Sequence, residues 1–247
     1  MKIQKNKCLQ MFVAFGMMMF CQYFSANAQV NLTEIPNEQV FFNNNEKIIV
    51  KNHKQKHHYE EVGCTWETVH AEVEGIRDTV VQNYINDWLS GMTFFGNCDG
   101  EKGCFDIVSY HYFYKKTTVT FLKNDIASFF LLEGNCQNKN EACCENQDWE
   151  VYDLSQKRFI QEAEFFKQDN ASKEIFFQLL ESKVAEKGLK LVPEWEAFNR
   201  QFGLNKKSIL IYLYNDVVGN EHGVVLELKQ KEVEKILEPS IAKRIFD

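Results

Sequence analysis

The middle of the chain constrains its fold most. Between residues 107 and 154, aromatic and β-branched side chains crowd into four short runs, at 107–114, 117–122, 126–132 and 149–154. Such residues fit a pleated, half-buried surface, so each run reads as a strand. Lys123-Asn124-Asp125 supplies a turn between the second and third runs. The polar, cysteine-bearing stretch 133–148 is expected to interrupt the sheet. Two helical patterns flank this centre. Ile76, Val80, Val81, Tyr84, Ile85, Trp88 and Leu89 recur at spacings of three and four, with Gly91 placed to end the helix. Ile175, Phe176, Leu179, Leu180 and Val184 repeat the pattern over 172–187, and Gly188 can cap it.

The remaining segments fill in the class. Residues 48–73 read as one or two strands, and 209–214 and 224–228 as two more. Short helices are expected at 195–202 and 231–237, the second stopped by Pro239. Helices and strands do not alternate as in a doubly wound sheet. The expected class is therefore α+β, a mainly antiparallel sheet packed against a few amphipathic helices and bearing disulfides. The domain is expected to span 46–247, with an N-terminal half at about 46–130 and a C-terminal half at about 125–238. A polar arm at 29–45, without periodicity, precedes it.

The first 28 residues have the three parts of a secretory leader. Lys2, Lys5 and Lys7 give a positive start, residues 11–21 an apolar core, and Ser25-Ala26-Asn27-Ala28 the small-x-small pattern of a cleavage site after Ala28. That core falls short of the ~20 residues a spanning helix needs. No later apolar run approaches that length, so the mature chain is expected to carry no transmembrane span and to be periplasmic or extracellular. Lipid anchoring at Cys21 is the weaker alternative, because Phe20 precedes it where a small residue is wanted. The net charge of −7 grows more negative once the leader lysines are lost. That sign argues against nucleic acid and suits a basic protein partner.

Of the eight cysteines, Cys8 and Cys21 leave with the leader. Cys64, Cys98, Cys104, Cys136, Cys143 and Cys144 stay, an even number that favours disulfides in an exported chain. Cys98 and Cys104 bracket a glycine-bearing loop whose closure would constrain the unfolded chain by roughly 2 kcal/mol. Cys136 is expected to pair with Cys143 or Cys144, leaving Cys64 for the other, one choice among the fifteen that six cysteines allow.

No catalytic constellation emerges. The chain has no Gly-x-Ser-x-Gly elbow and no C-x-x-C pair, and His111 and His222 stand alone. His53, His57 and His58 cluster, but Lys51, Lys54 and Lys56 are interleaved with them and oppose a divalent ion. They read as an exposed polar strand, on which His53 and His57 would share a face. Cys136, Cys143 and Cys144 lack the paired knuckle of a zinc site. Asp99, Glu101 and Asp106 lack calcium-loop spacing. No metal and no cofactor are expected. Tyr110, Tyr112 and Tyr114 alternate on one strand face, either as sheet packing or as the lining of a binding surface.

The order of elements resembles a known family. Asp125-Ile126-Ala127-Ser128-Phe129, Trp149-Glu150-Val151-Tyr152-Asp153-Leu154 with 160–166, the long helix at 172–187, and Phe202-Gly203-Leu204 through 209–214, 223–228 and 233–237 resemble the extracytoplasmic domain of lysozyme-responsive anti-sigma factors. Tyr84-Ile85-Asn86-Asp87-Trp88 is similar to the helix of that family's N-terminal half. The same domain occurs beside peptidoglycan deacetylase domains and in many secreted bacterial proteins of unknown role. The resemblance implies a non-enzymatic, sensor-type binding domain of the cell envelope whose partner is a basic, lysozyme-like protein. It leaves as alternatives a glycan- or peptidoglycan-acting enzyme and a structural surface protein. Two departures matter. A Gly-Gly-Ala-His-type segment is replaced by Glu133-Gly134-Asn135-Cys136, and about ten residues precede the apolar core, too few for a cytoplasmic sigma-binding module. Any signal is therefore expected to pass through a separate partner.

Overall fold

A computed structural model describes residues 35–59, 64–93, 112–136, 144–195, 200–219 and 223–246. Its larger sheet has seven strands that follow one another in chain order: β1 (Glu38–Asn43), β2 (Glu46–Tyr59), β3 (Cys64–Glu74), β4 (Tyr112–Lys123), β5 (Ile126–Cys136), β6 (Cys144–Asp153) and β7 (Arg158–Phe159). All neighbours are antiparallel except β3 and β4, which run parallel from Thr65↔Tyr112 to Val69↔Lys116. A parallel pair needs a crossover, and the helix α1 (Thr79–Thr93) lies on it. Asp78 caps α1 by accepting from the backbone N–H groups of Val80 and Val81, at 3.0 and 3.2 Å.

The C-terminal half adds the helices α2 (Glu162–Phe165) and α3 (Asn170–Glu186), then the strands β8 (Gln201–Leu204) and β9 (Ser208–Leu213). After these come α4 (Asn215–Val218), β10 (Val224–Lys229), α5 (Gln230–Val233) and α6 (Pro239–Phe246). β8, β9 and β10 form a second, antiparallel sheet in the order β10-β9-β8. The expected α+β class, with a mainly antiparallel sheet and amphipathic helices, is what the chain adopts.

Two apolar cores hold these layers together. α1 buries Val81, Ile85 and Leu89 against Val50, Val73, Val119, Phe129 and Tyr152. On the C-terminal side Phe121, Ile126 and Val151 pack with Phe165, Phe176, Leu180, Leu204, Ile209, Leu226 and Ile241. Each such side chain contributes roughly 1.5–3 kcal/mol on burial. The second sheet is also fastened to the first by polar bonds. The Leu204 N–H donates to Ser128 Oγ at 2.9 Å, and the Trp149 N–H to Gln201 Oε1 at 2.8 Å. Gly203 lies so close beneath the Trp149 ring that any side chain there would collide with it. At the far turn, Arg244 of α6 grips Asp153 through both guanidinium nitrogens, at 2.6 and 3.1 Å.

Several elements depart from the sequence-based expectations. The arm at 29–45 contains β1, paired with β2 through Asn44 and Asn45, both at positive φ, as a tight hairpin needs. Its residues 29–34 lie outside the described residues. Residues 107–111 lie outside the described residues, and the break expected between 114 and 117 is absent, because β4 is continuous from Tyr112 to Lys123. The lysines that looked like a break are spent sideways, Lys115 on Glu133 at 3.4 Å and Lys116 on Glu67 at 3.5 Å. The polar stretch 133–148 is largely strand, since β5 reaches Cys136 and β6 starts at Cys144. Of the helix expected at 195–202, residues 196–199 lie outside the described residues, and Gln201 and Phe202 belong to β8, where Phe202 and Leu204 are buried. Pro239 starts α6 instead of stopping α5, because the first helical position needs no N–H. α1 runs past Gly91 to Thr93. Ile175 is 45% exposed, and Ser172 takes the buried place on α3.

Candidate acidic and aromatic site on strand β6

Register places one set of residues on a common face. Tyr114 is opposite Gly134; Lys116 lines up with Leu132 and Gln147; Thr118 lines up with Phe130 and Trp149. Side chains alternate with period two, so these positions and Tyr112 share that face. Tyr114 lies over Gly134, whose missing Cβ leaves room for the ring. Tyr112 is 5.9 Å from Tyr114, and both pack on Leu132. Leu132 also touches the group of Phe130, Trp149, Leu210, Tyr212 and Val225. The Tyr112 hydroxyl donates to Glu67 at 2.7 Å, and burial, with Glu67 adding to it, pushes that phenol far up. Tyr112 and Tyr114 therefore alternate on one strand as expected, but both are buried as sheet packing. Tyr110 lies outside the described residues.

The carboxylates of β6 are a different matter. Asp148 and Glu150 occupy alternate positions on a stretch of β6 that β7, paired only at Tyr152 and Asp153, does not cover. Burial pushes the Asp148 carboxyl up and the Glu133 charge adds to it, against a backbone hydrogen bond from Trp149. Burial and the Asp148 charge push Glu150 up. Tyr212 and Tyr214, whose rings meet edge-on at 5.0 Å, pack with Phe130 and Trp149 on the other face of the strand. Burial, Tyr214 and Asp148 raise Tyr212 to about 12. Burial and Asp148 raise Tyr214 while a hydrogen bond with Gln201 opposes them. Carboxyls shifted this way favour a proton or a cationic group beside them.

Unsatisfied polar atoms concentrate along and beside the same stretch of β6, those of Thr118, Gln147 and Trp149 on the tyrosine face and that of Asp148 on the other. Six buried side-chain atoms among the described residues lack a hydrogen-bond partner, and four of them belong to Thr118, Gln147, Asp148 and Trp149. Buried polar groups are rarely left unpaired, so this concentration marks β6 and its neighbours as the place where the fold gives up stability. Sequence reading missed Asp148, Glu150, Tyr212 and Tyr214 as a group. The alternation Gln147-Asp148-Trp149-Glu150-Val151 was a usable sign that β6 begins before Trp149.

The other sequence candidates fall elsewhere. His53 lies on β2, stacks on His70 at 5.0 Å and meets Glu72 at 2.6 Å, beside a groove of about 400 Å³ that also touches Asn86 and Asp87 of α1. Burial, then His53, lowers the His70 imidazole. His57 and His58 are exposed on the same strand. No three potential metal ligands converge among the described residues. Cys64 opens β3, Cys136 ends β5 and Cys144 opens β6. Cys98, Cys104 and Cys143 lie outside the described residues, as do His111, His222, Asp99, Glu101 and Asp106. No described helix is long and apolar enough to cross a membrane.

A chain-ordered sheet of seven strands, backed by a helix and by a second three-stranded sheet, defines a two-sheet α+β domain. That architecture is found in a DUF3298 family member from Bacteroides fragilis, with a TM-score of 0.53 and 12% identity over 86% of this chain and 99% of that one. A DUF3298 family protein from Pseudomonas aeruginosa is similar at a TM-score of 0.51 and 12% identity, over 78% of this chain and 95% of that one. At such identity the likeness is one of fold. No family model matches the sequence, and no curated protein does.

Proposed function

We propose that the chain is an exported binding domain of the bacterial cell envelope, of the anti-sigma sensor type, which recognises a basic, lysozyme-like protein through the acidic stretch of β6 around Asp148 and Glu150. The observation that carries this reading is Asp148, a half-buried carboxylate with one oxygen unpartnered, which burial and the Glu133 charge push up. A lysine or arginine from a partner would relieve both costs. The leader-like N-terminus, the negative net charge and the envelope family whose element order the chain resembles all support it.

Calorimetric titration with a basic lysozyme tests the idea. Binding is expected at low ionic strength, weakening as salt screens the charges, and weaker again in the double variant Asp148→Asn/Glu150→Gln. An absence of heat at high micromolar lysozyme in dilute buffer would falsify the partner class. Equal affinity of the double variant would move the interface elsewhere.

The paired, upward-shifted carboxyls also favour a second reading, a glycan-acting enzyme using one of them as general acid. Release of sugar, acetate or peptide from purified cell wall, lost in Glu150→Gln, would replace the binding reading with this one.

A further inference from the structure

His53 and His70 stand directly opposite each other on the antiparallel strands β2 and β3, and their rings stack with centres 5.0 Å apart. That spacing suits one shared ion. Zinc lies about 2.0–2.1 Å from an imidazole nitrogen, which puts each ring centre about 3.2 Å from the metal. Two such ligands at roughly 90–110° to each other have ring centres about 4.5–5.2 Å apart. The carboxylate of Glu72 meets His53 Nε2 at 2.6 Å. An ionised carboxylate only accepts, so Nε2 carries the proton and Nδ1 of the neutral ring keeps the lone pair that a metal needs. A carboxylate behind a ligating histidine is the usual way such a ring is oriented.

The surroundings favour a cation. The groove of about 400 Å³ beside the pair is lined on its other side by Asp87 and Ser90 of α1. Asn86 fixes that wall, accepting from the Val73 N–H at 2.8 Å and donating to the Val73 carbonyl at 3.0 Å. The lysines that count against a divalent ion in the sequence are neutralised or turned away. Lys51 pairs with Glu74. Lys54 and Lys56 stand opposite Val69 and Glu67, at alternate positions that belong to the other face of β2. Glu72 and Asp87 leave the groove acidic.

We propose that His53 and His70 chelate a divalent transition metal of the imidazole-binding kind, zinc above all, with Glu72 orienting His53. No third ligand converges on the pair among the described residues, so water completes the coordination. The site is separate from Asp148 and Glu150, and its failure leaves the partner reading untouched.

Calorimetric titration of the full, tag-free chain with zinc(II) alone tests the site. A single ion is expected to bind and to raise the thermal unfolding midpoint. Glu72→Gln should weaken binding by about 10–100-fold, and His53→Ala or His70→Ala by at least as much. The double variant His57→Ala/His58→Ala, whose residues do not line the groove, should bind as the wild type does. Midpoints measured with a chelator separate loss of a ligand from loss of the fold. His53 is 43% exposed, so His53→Ala should keep its metal-free midpoint and decides the matter should His70→Ala unfold. Absence of heat with submillimolar zinc overturns the proposal. So does binding that survives both single histidine substitutions, the sign of an ion held by cysteines or by His57 and His58.

Discussion

Asp153 and Asp148 lie on the same strand, five positions apart, and their carboxyls are held in opposite ways. Burial works against ionisation of both. At Asp153 it is more than offset by the Arg244 guanidinium, the Ser155 hydroxyl at 2.6 Å and the Gln156 N–H at 3.0 Å, which bring the group down to about 2. At Asp148 one oxygen has no partner, and the neighbouring charge is another acid, so the group is pushed up. The well-bonded end of β6 lies where α6 closes over the core. The other end carries the unsatisfied atoms. One strand thus serves as scaffold at one end and as candidate site at the other, and hydrogen-bond satisfaction separates the two better than burial does.

The largest way to break this contrast is to free Asp153. Arg244→Ala leaves a nearly fully buried carboxylate unpaired and is expected to cost about 3 kcal/mol in denaturant unfolding. The pH dependence should change with it. Because Asp153 is depressed from an ordinary 3.8 to about 2, its contribution is complete above 3.8 and lost as pH falls through 2. Wild-type stability should drop across that acid window, and Arg244→Ala should flatten the drop.

Next in size is Gly203→Ala, which forces a methyl into the Trp149 ring and is expected to cost about 1–3 kcal/mol. A blue or red shift of Trp149 fluorescence should accompany it. An unshifted midpoint would mean that the second sheet slides on β6 without penalty.

The smallest effect has the opposite sign. Asp148 is raised, so its contribution is present below 3.8 and lost as pH rises through its folded value. Asp148→Asn removes an unfavourable charge at neutral pH and is expected to stabilise by about 0.5–1 kcal/mol while weakening binding of the basic partner proposed above. A destabilised variant would make Asp148 part of the scaffold after all.

Much of the framework was legible from apolar periodicity alone. α1, α3, β5, β9 and β10 each have a face whose residues point into one core, and the spacing of Ile85 and Leu89 or of Phe176 and Leu180 records it. What was not legible depended on partners distant in the chain. Lys115 and Lys116 read as a break because Glu133 and Glu67, which hold them in β4, lie elsewhere in the sequence. Tyr112 and Tyr114 could be placed on one face, but not known to be buried. Asp148 gains its character from burial and from Glu133 on β5, and its charge in turn raises Tyr212 and Tyr214, residues that lie more than sixty positions away in the chain.

The chain-ordered sheet also says how the molecule is assembled. Each antiparallel strand can zip onto its predecessor through a short turn, at little entropic cost. Only the seam between β3 and β4 must wait until the chain has gone out through α1 and come back. Two meanders can therefore condense early, with the five-residue seam joining them last. Val69, buried at the end of that seam, is where a truncation to alanine should raise the unfolding rate and leave refolding almost unchanged.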